Sequence, residues 1–123
     1  MDPLSENFLP EHQRVVEEFR QKASEDILAA CDQFQSYCNQ YPSDYNLMFE
    51  FAKFLRDFNQ ANNAIKVAIY LRERINSSSI ILLCFLADLS RTLGDHLLAI
   101  STYKQILKLQ PENLSASLNL SVS

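Results

Sequence analysis

Leucine, isoleucine, valine, alanine and aromatic residues recur every three or four positions along most of the chain, the spacing of helices with one apolar face. The clearest example begins at Ile80 and runs to Leu93, is followed by Gly94 and Asp95, and continues as a second periodic stretch to Pro111. Glycine can adopt the left-handed conformation that ends many helices, aspartate can cap the next helix, and proline stops it. The pattern predicts two helices joined by a short turn.

The same pattern occurs twice more, at a period of 34 to 35 residues. Ala99 aligns with Ala64, and Ala64 aligns in turn with Ala30. In the middle copy Asn59 occupies the place of Gly94, and asparagine is the next best residue for a left-handed backbone. We therefore predict an all-α fold without strands, built from six complete helices and a partial seventh. The expected breaks lie near Ser24, Ser43, Asn59, Ser78, Gly94 and Pro111.

Helix pairs at this period, an Ala-x-x-x-Phe/Tyr step in the second helix and a proline eight residues later resemble the tetratricopeptide repeat (TPR). Residues 80–113 match best, through Leu86, Ala87, Ala99, Tyr103 and Pro111. The resemblance implies antiparallel helix pairs stacked into a right-handed superhelix, an α-solenoid. It divides the chain into an extension, 1–10, and a helical domain, 11–123, with units of about 11–44, 45–79 and 80–113 and a partial fourth unit, 114–123.

The first helix fits this pattern less well than the others. Polar residues occupy the packing positions of the family, namely Arg14, Glu17, Glu18 and Gln21, while Val16, Phe19 and Ala23 lie two places further on. Either the joint to the next helix is two residues shorter, or this helix is an atypical cap, as terminal repeats often are. We favour the cap.

Composition narrows the class of protein. A chain of 123 residues with 47% apolar content and a single glycine suits one helical domain. The formal net charge of −4 argues against nucleic acid as a partner. The amino terminus lacks a signal-peptide pattern, and the longest apolar run, IILLCFLA, is too short to span a membrane. We expect a cytoplasmic or other intracellular soluble protein, in which Cys31, Cys38 and Cys84 are reduced structural thiols.

Candidate catalytic groups are few. His12 and His96 lie in different repeats without cysteine or carboxylate at ligand spacing, and a single glycine cannot build a phosphate-binding loop. No serine has the surroundings of an activated nucleophile. We expect no enzymatic activity, no metal and no cofactor.

In the TPR family the first helix of each unit lines a concave groove. By resemblance, two helices of this chain supply the groove residues, namely Asn46, Phe49, Glu50, Lys53, Arg56, Ile81, Cys84, Phe85, Asp88 and Arg91. Phe49, Ile81 and Phe85 would form an apolar strip beside a charged one. Alternatively, the two phenylalanines pack in the core and the charges form a solvated helix face.

The resemblance implies a scaffold or adaptor that binds a peptide or an amphipathic helix of another protein in this groove. Two alternatives stay open. The chain could be the non-catalytic amino-terminal TPR region of a larger enzyme such as a transferase. It could also self-associate through the open carboxy-terminal end, where Leu114, Leu118 and Val122 form an apolar stripe on a segment too short for a stable isolated helix.

Overall fold

The structure, a computed structural model, describes residues 10–75, 79–113 and 116–118, and all regular structure in these ranges is helical. Residues 116–118 form a further helical turn. The predicted helices and breaks are confirmed, except that Ser78 lies outside the described residues. The helices are α1 (Pro10–Ala23), α2 (Ile27–Asn39), α3 (Tyr45–Asp57), α4 (Ala61–Arg74), α5 (Ile80–Thr92) and α6 (His96–Leu109).

Four of these helices begin with a side-chain cap of the same geometry. The residue before the helix accepts a hydrogen bond from the backbone amide three positions later, at 3.0 to 3.1 Å. Each cap satisfies one of the amides that lack a partner inside the helix, and losing it costs about 0.5–2 kcal/mol. The capping residues are Asp26, Asp44, Ser79 and Asp95.

The joints after α3 and α5 are built alike. Asn59 and Gly94 have φ angles of 64° and 78°, the left-handed conformation predicted for both. The amide of the following residue then reaches back five positions, from Gln60 to the carbonyl of Leu55 and from Asp95 to that of Ser90, at 2.7 and 2.9 Å. This bond closes the end of each helix in the Schellman pattern.

The joint between α1 and α2 also has three residues, 24–26, so the shortened joint is excluded. It differs in its backbone. Glu25, at the position of Asn59 and Gly94, is not among the described residues with positive φ, and the amide of Asp26 bonds the carbonyl of Lys22, four positions back, at 2.9 Å. The chain therefore leaves α1 without the left-handed step that ends α3 and α5.

This different joint accompanies a rotation of α1 relative to the repeat pattern. The repeat aligns the buried Leu47 of α3 with Gln13 of α1, which is exposed. α1 buries His12 and Val16 instead. Its buried stripe therefore lies one residue before the register of the repeat, about 100° around the helix, and not two residues after it. The structure favours the atypical cap.

The chain divides into two compact units, one formed by Ser5–Val67 and the other containing Ala68–Ser123, and α4 spans the boundary. In the first unit α1, α2 and α3 pack around the fully buried ring of Phe34. The rings of Phe19, Phe51 and Phe54 lie 4.8 to 5.2 Å from it, centre to centre. Ala30, without exposed surface, lies one turn before Phe34 on α2.

In the second unit α5 and α6 pack against each other through a cluster that includes Leu83, Ala87, Ala99, Tyr103 and Ile106. Both alanines are completely buried, as expected where two helix backbones approach closely. Ala116 joins the same cluster, so the segment after α6 contributes to this core.

Candidate protein-binding surfaces

The predicted groove residues of α3 share one side of the helix. At 100° per residue, Asn46, Phe49, Glu50, Lys53 and Arg56 fall within an arc of about 120°. The opposite side is buried in the first unit. Its residues are Leu47, Phe51, Phe54 and Leu55. We call the first set the α3 face.

A charged pair lies beside the aromatic ring of the α3 face. The ammonium nitrogen of Lys53 lies 2.8 Å from Oε1 of Glu50 and 5.0 Å from the centre of the Phe49 ring. A cation over an aromatic ring contributes about 0.5–1 kcal/mol at an exposed site. Lys53 thus contacts both Glu50 and Phe49, and it covers part of the Phe49 ring.

A second charged group lies at the carboxy-terminal end of α3. The guanidinium of Arg56 donates to Oδ1 of Asp57 at 3.1 Å, and Arg20 on α1 donates to Oδ2 at 3.0 Å. Asp57 therefore links α1 to α3. All three side chains are about one third or more exposed, so these ion pairs contribute little to the stability of the fold.

The predicted groove residues of α5, which we call the α5 face, also lie on one side of their helix. Cys84, Asp88 and Arg91 are exposed, and Ile81 is 43% exposed. The other side of α5 is buried. It carries Leu82, Leu83, Leu86, Ala87 and Leu89. The α5 face thus combines an accessible branched aliphatic side chain with two opposite charges.

The two phenylalanines do not form the exposed strip that the sequence suggested. Phe49 is 8% exposed and Phe85 is 6% exposed, so both rings are buried. Sequence position fixes the side of the helix on which a ring lies, but its accessibility also depends on its neighbours, such as Lys53 over Phe49. Of the three apolar residues in the predicted strip, Ile81 alone is accessible.

The three cysteines are thiols and form no disulfide. Burial raises the pKa of the Cys38 thiol to about 12, with a smaller contribution from the Asp44 carboxylate. Burial and the neighbouring Asp32 also raise the pKa of Cys31. Cys84 differs from the expectation of a structural thiol because it lies exposed on the α5 face.

Sequence analysis missed a polar cluster inside the first unit. His12 is buried; its Nδ1 lies 2.7 Å from the hydroxyl of Tyr37, and its Nε2 lies 3.4 Å from Oδ2 of Asp44. The rings of Tyr37 and Tyr41 pack edge-on against the imidazole. Burial raises the pKa of Tyr37, with smaller contributions from Tyr41, Glu11 and Asp44. These residues join the start of α1 to the connection between α2 and α3.

Within the described ranges, no helix combines the length and apolar character needed to cross a membrane. His96, read from the sequence as a surface residue, is exposed at the start of α6.

No protein-family model and no curated protein sequence matches this chain. Among solved structures, the crystal structure of MamA, a TPR-like protein, is similar to this chain with a TM-score of 0.68 at 15% sequence identity. The similarity covers 93% of this chain and 63% of the MamA chain. At this identity the likeness shows the fold, which is all-α and TPR-like, as the sequence predicted.

Proposed function

We propose that this chain is a protein-interaction module of the TPR family, with three repeats and the start of a fourth, that acts as a scaffold or adaptor rather than an enzyme. Its partner is a peptide or helical segment of another protein. The binding residues are those of the α3 face and the α5 face, which the TPR resemblance assigns to the concave groove.

The observation that carries this proposal is the composition of the α5 face. Ile81 exposes a large aliphatic side chain on a helix whose opposite side already supplies the core. Asp88 is exposed on the same side about two turns after Ile81, and Arg91 is exposed there about one turn after Asp88. An apolar anchor bordered by charges is the usual arrangement of a protein-binding surface.

The two faces would contribute differently. On the α5 face, Ile81 supplies apolar contact area, and Asp88 and Arg91 select the charges of the bound segment. On the α3 face, Glu50 and Lys53 already pair with each other, so a partner charge that displaces one of them exchanges one ion pair for another and adds little affinity. Phe49 and Phe85 are buried and would contribute little direct contact.

Quantitative affinity capture from the native cell tests the proposal. The binding variant is the double substitution Ile81→Asp and Arg91→Glu. The matched control is Leu97→Asp and Lys104→Glu on α6, which changes the charge equally at exposed positions of the same unit. We expect a partner captured by the wild type to fall about tenfold or more with the first variant and to persist with the second. Equal capture by both variants would contradict the proposal.

Self-association is a second candidate, favoured by one observation. Leu118 is 67% exposed on the helical turn whose Ala116 packs into the core of the second unit. Leu114 and Val122, the other members of the predicted stripe, lie outside the described residues. If Leu118 contacts another copy, light scattering should give a mass above 14.2 kDa that Leu118→Glu returns to the monomer. A wild-type monomer at high concentration would refute this candidate.

A further inference from the structure

A recessed surface in the first unit lies on the side of α3 away from the α3 face. It is a cleft of about 290 Å³ between α2 and α4, with Phe51 and Leu55 of α3 among its lining residues. Val67 of α4 and Leu28 of α2 complete its apolar part, and Leu28 is 69% exposed. We call it the α2/α4 cleft.

The α2/α4 cleft is separate from the surface proposed above. Phe51 lies about 200° around α3 from Phe49, and Leu55 lies about 200° from Lys53. A segment bound in the cleft therefore contacts the opposite side of the helix, and the two surfaces can be tested independently.

Opposite charges border the cleft from equivalent positions of the repeat. Asp32 on α2 follows Ala30 by two residues, and Lys66 on α4 follows Ala64 by two, so both occupy the same place in their repeats. Both residues are exposed. A ligand in the cleft meets a negative charge on one wall and a positive charge on the other.

This arrangement fits a helix better than an extended strand. A helix that inserts an apolar side chain presents the residues three before and three after it about 60° to either side, toward the two walls. The neighbours of an inserted side chain on a strand point the opposite way, out of the cleft. The volume, just below the range of small-molecule pockets, suits one or two inserted side chains.

We propose that the α2/α4 cleft binds an amphipathic helix of a partner protein that inserts leucine-like side chains against Phe51, Leu55 and Val67. One flank of this helix is basic and faces Asp32, and the other is acidic and faces Lys66.

Three synthetic helical peptides test the charge selection. They share one leucine stripe and carry lysine on one flank and glutamate on the other, lysine on both, or glutamate on both. Dissociation constants come from NMR titration of the full chain, read at the methyl groups of Leu28 and Val67. We expect the mixed peptide to bind about two- to fivefold more tightly than either uniform peptide.

Charge reversal of each wall should change the preference in opposite directions. Asp32→Lys should favour the glutamate peptide, and Lys66→Glu should favour the lysine peptide. Because the chain has a net charge of −4, non-specific attraction would instead make the lysine peptide the tightest ligand of the wild type. That result, or no shift at the two methyl positions with any peptide, would overturn the proposal.

The apolar contact has a matched control elsewhere in the chain. Leu28 and Leu97 are both the second residue of a helix capped by aspartate, and Leu97 is 83% exposed. Leu28→Asp should weaken the mixed peptide about tenfold or more, whereas Leu97→Asp should leave it unchanged. The Ile81→Asp and Arg91→Glu variant should also bind it normally, so failure here and failure of the proposed function are distinguishable. Equal effects of Leu28→Asp and Leu97→Asp would contradict the cleft as the binding site.

Discussion

Replacing Phe49 with alanine should lower the free energy of unfolding, because this side chain is buried. Phe49 is 8% exposed, and truncation of a buried phenylalanine costs about 3–5 kcal/mol. Loss of the contact with Lys53, whose ammonium lies 5.0 Å from the ring centre, falls within that cost. Against a total stability of about 5–15 kcal/mol for a domain, the variant should be severely weakened.

Urea denaturation followed by circular dichroism measures this cost directly. Phe85→Ala, with 6% exposure, should behave like Phe49→Ala, whereas Ile81→Ala, at 43% exposure, should stay within about 1 kcal/mol of the wild type. If Phe49→Ala and Phe85→Ala each cost less than about 1 kcal/mol, the rings are not part of the buried interior. They would then regain the role of exposed anchors that the sequence allowed.

Three further outcomes are expected. In urea denaturation, Gly94→Ala should cost about 1–2 kcal/mol from backbone strain alone, because a Cβ there meets no atom within 4 Å. Asn59→Gly should be neutral or stabilising, and the opposite signs for the two variants would contradict the left-handed joints. Iodoacetamide at pH 8 should label Cys84 in the native chain and Cys38 only after unfolding, because burial raises the pKa of Cys38 to about 12. If mass spectrometry shows that both cysteines are labelled at equal rates in the native chain, Cys38 is not buried. His12→Ala should lower the free energy of unfolding by about 1–3 kcal/mol through its unsatisfied partners, and an unchanged denaturation midpoint would show that the polar cluster contributes nothing.

The helices and their joints could be predicted from the sequence because their causes are local. Periodic apolar positions define each helix, and a residue that tolerates positive φ ends it, as Asn59 and Gly94 do. The buried alanines Ala64 and Ala99 could be identified for a related reason, since a repeat places them at equivalent contacts in each unit.

The remaining features depend on side-chain contacts that the apolar period does not specify. His12 meets Tyr37 and Asp44, which are 25 and 32 residues away, and no local pattern marks such a pair. The apolar period also does not specify the burial of Phe49, over which Lys53 of the same helix lies, or that of Phe85. The predicted binding residues therefore stay a prediction, with Ile81 rather than the phenylalanines as the accessible apolar contact.

Site-specific photocrosslinking tests the central claim most directly, because Cys84 lies on the α5 face and is the exposed cysteine. A benzophenone maleimide placed on Cys84 should crosslink, on illumination, to a partner captured by the wild-type chain. The control carries Cys84→Ser and Leu97→Cys, which moves the probe to an exposed position on α6. The proposed function predicts a crosslinked partner from position 84 and little or none from position 97. A partner that crosslinks equally from both positions, or only from position 97, would contradict binding at the α5 face.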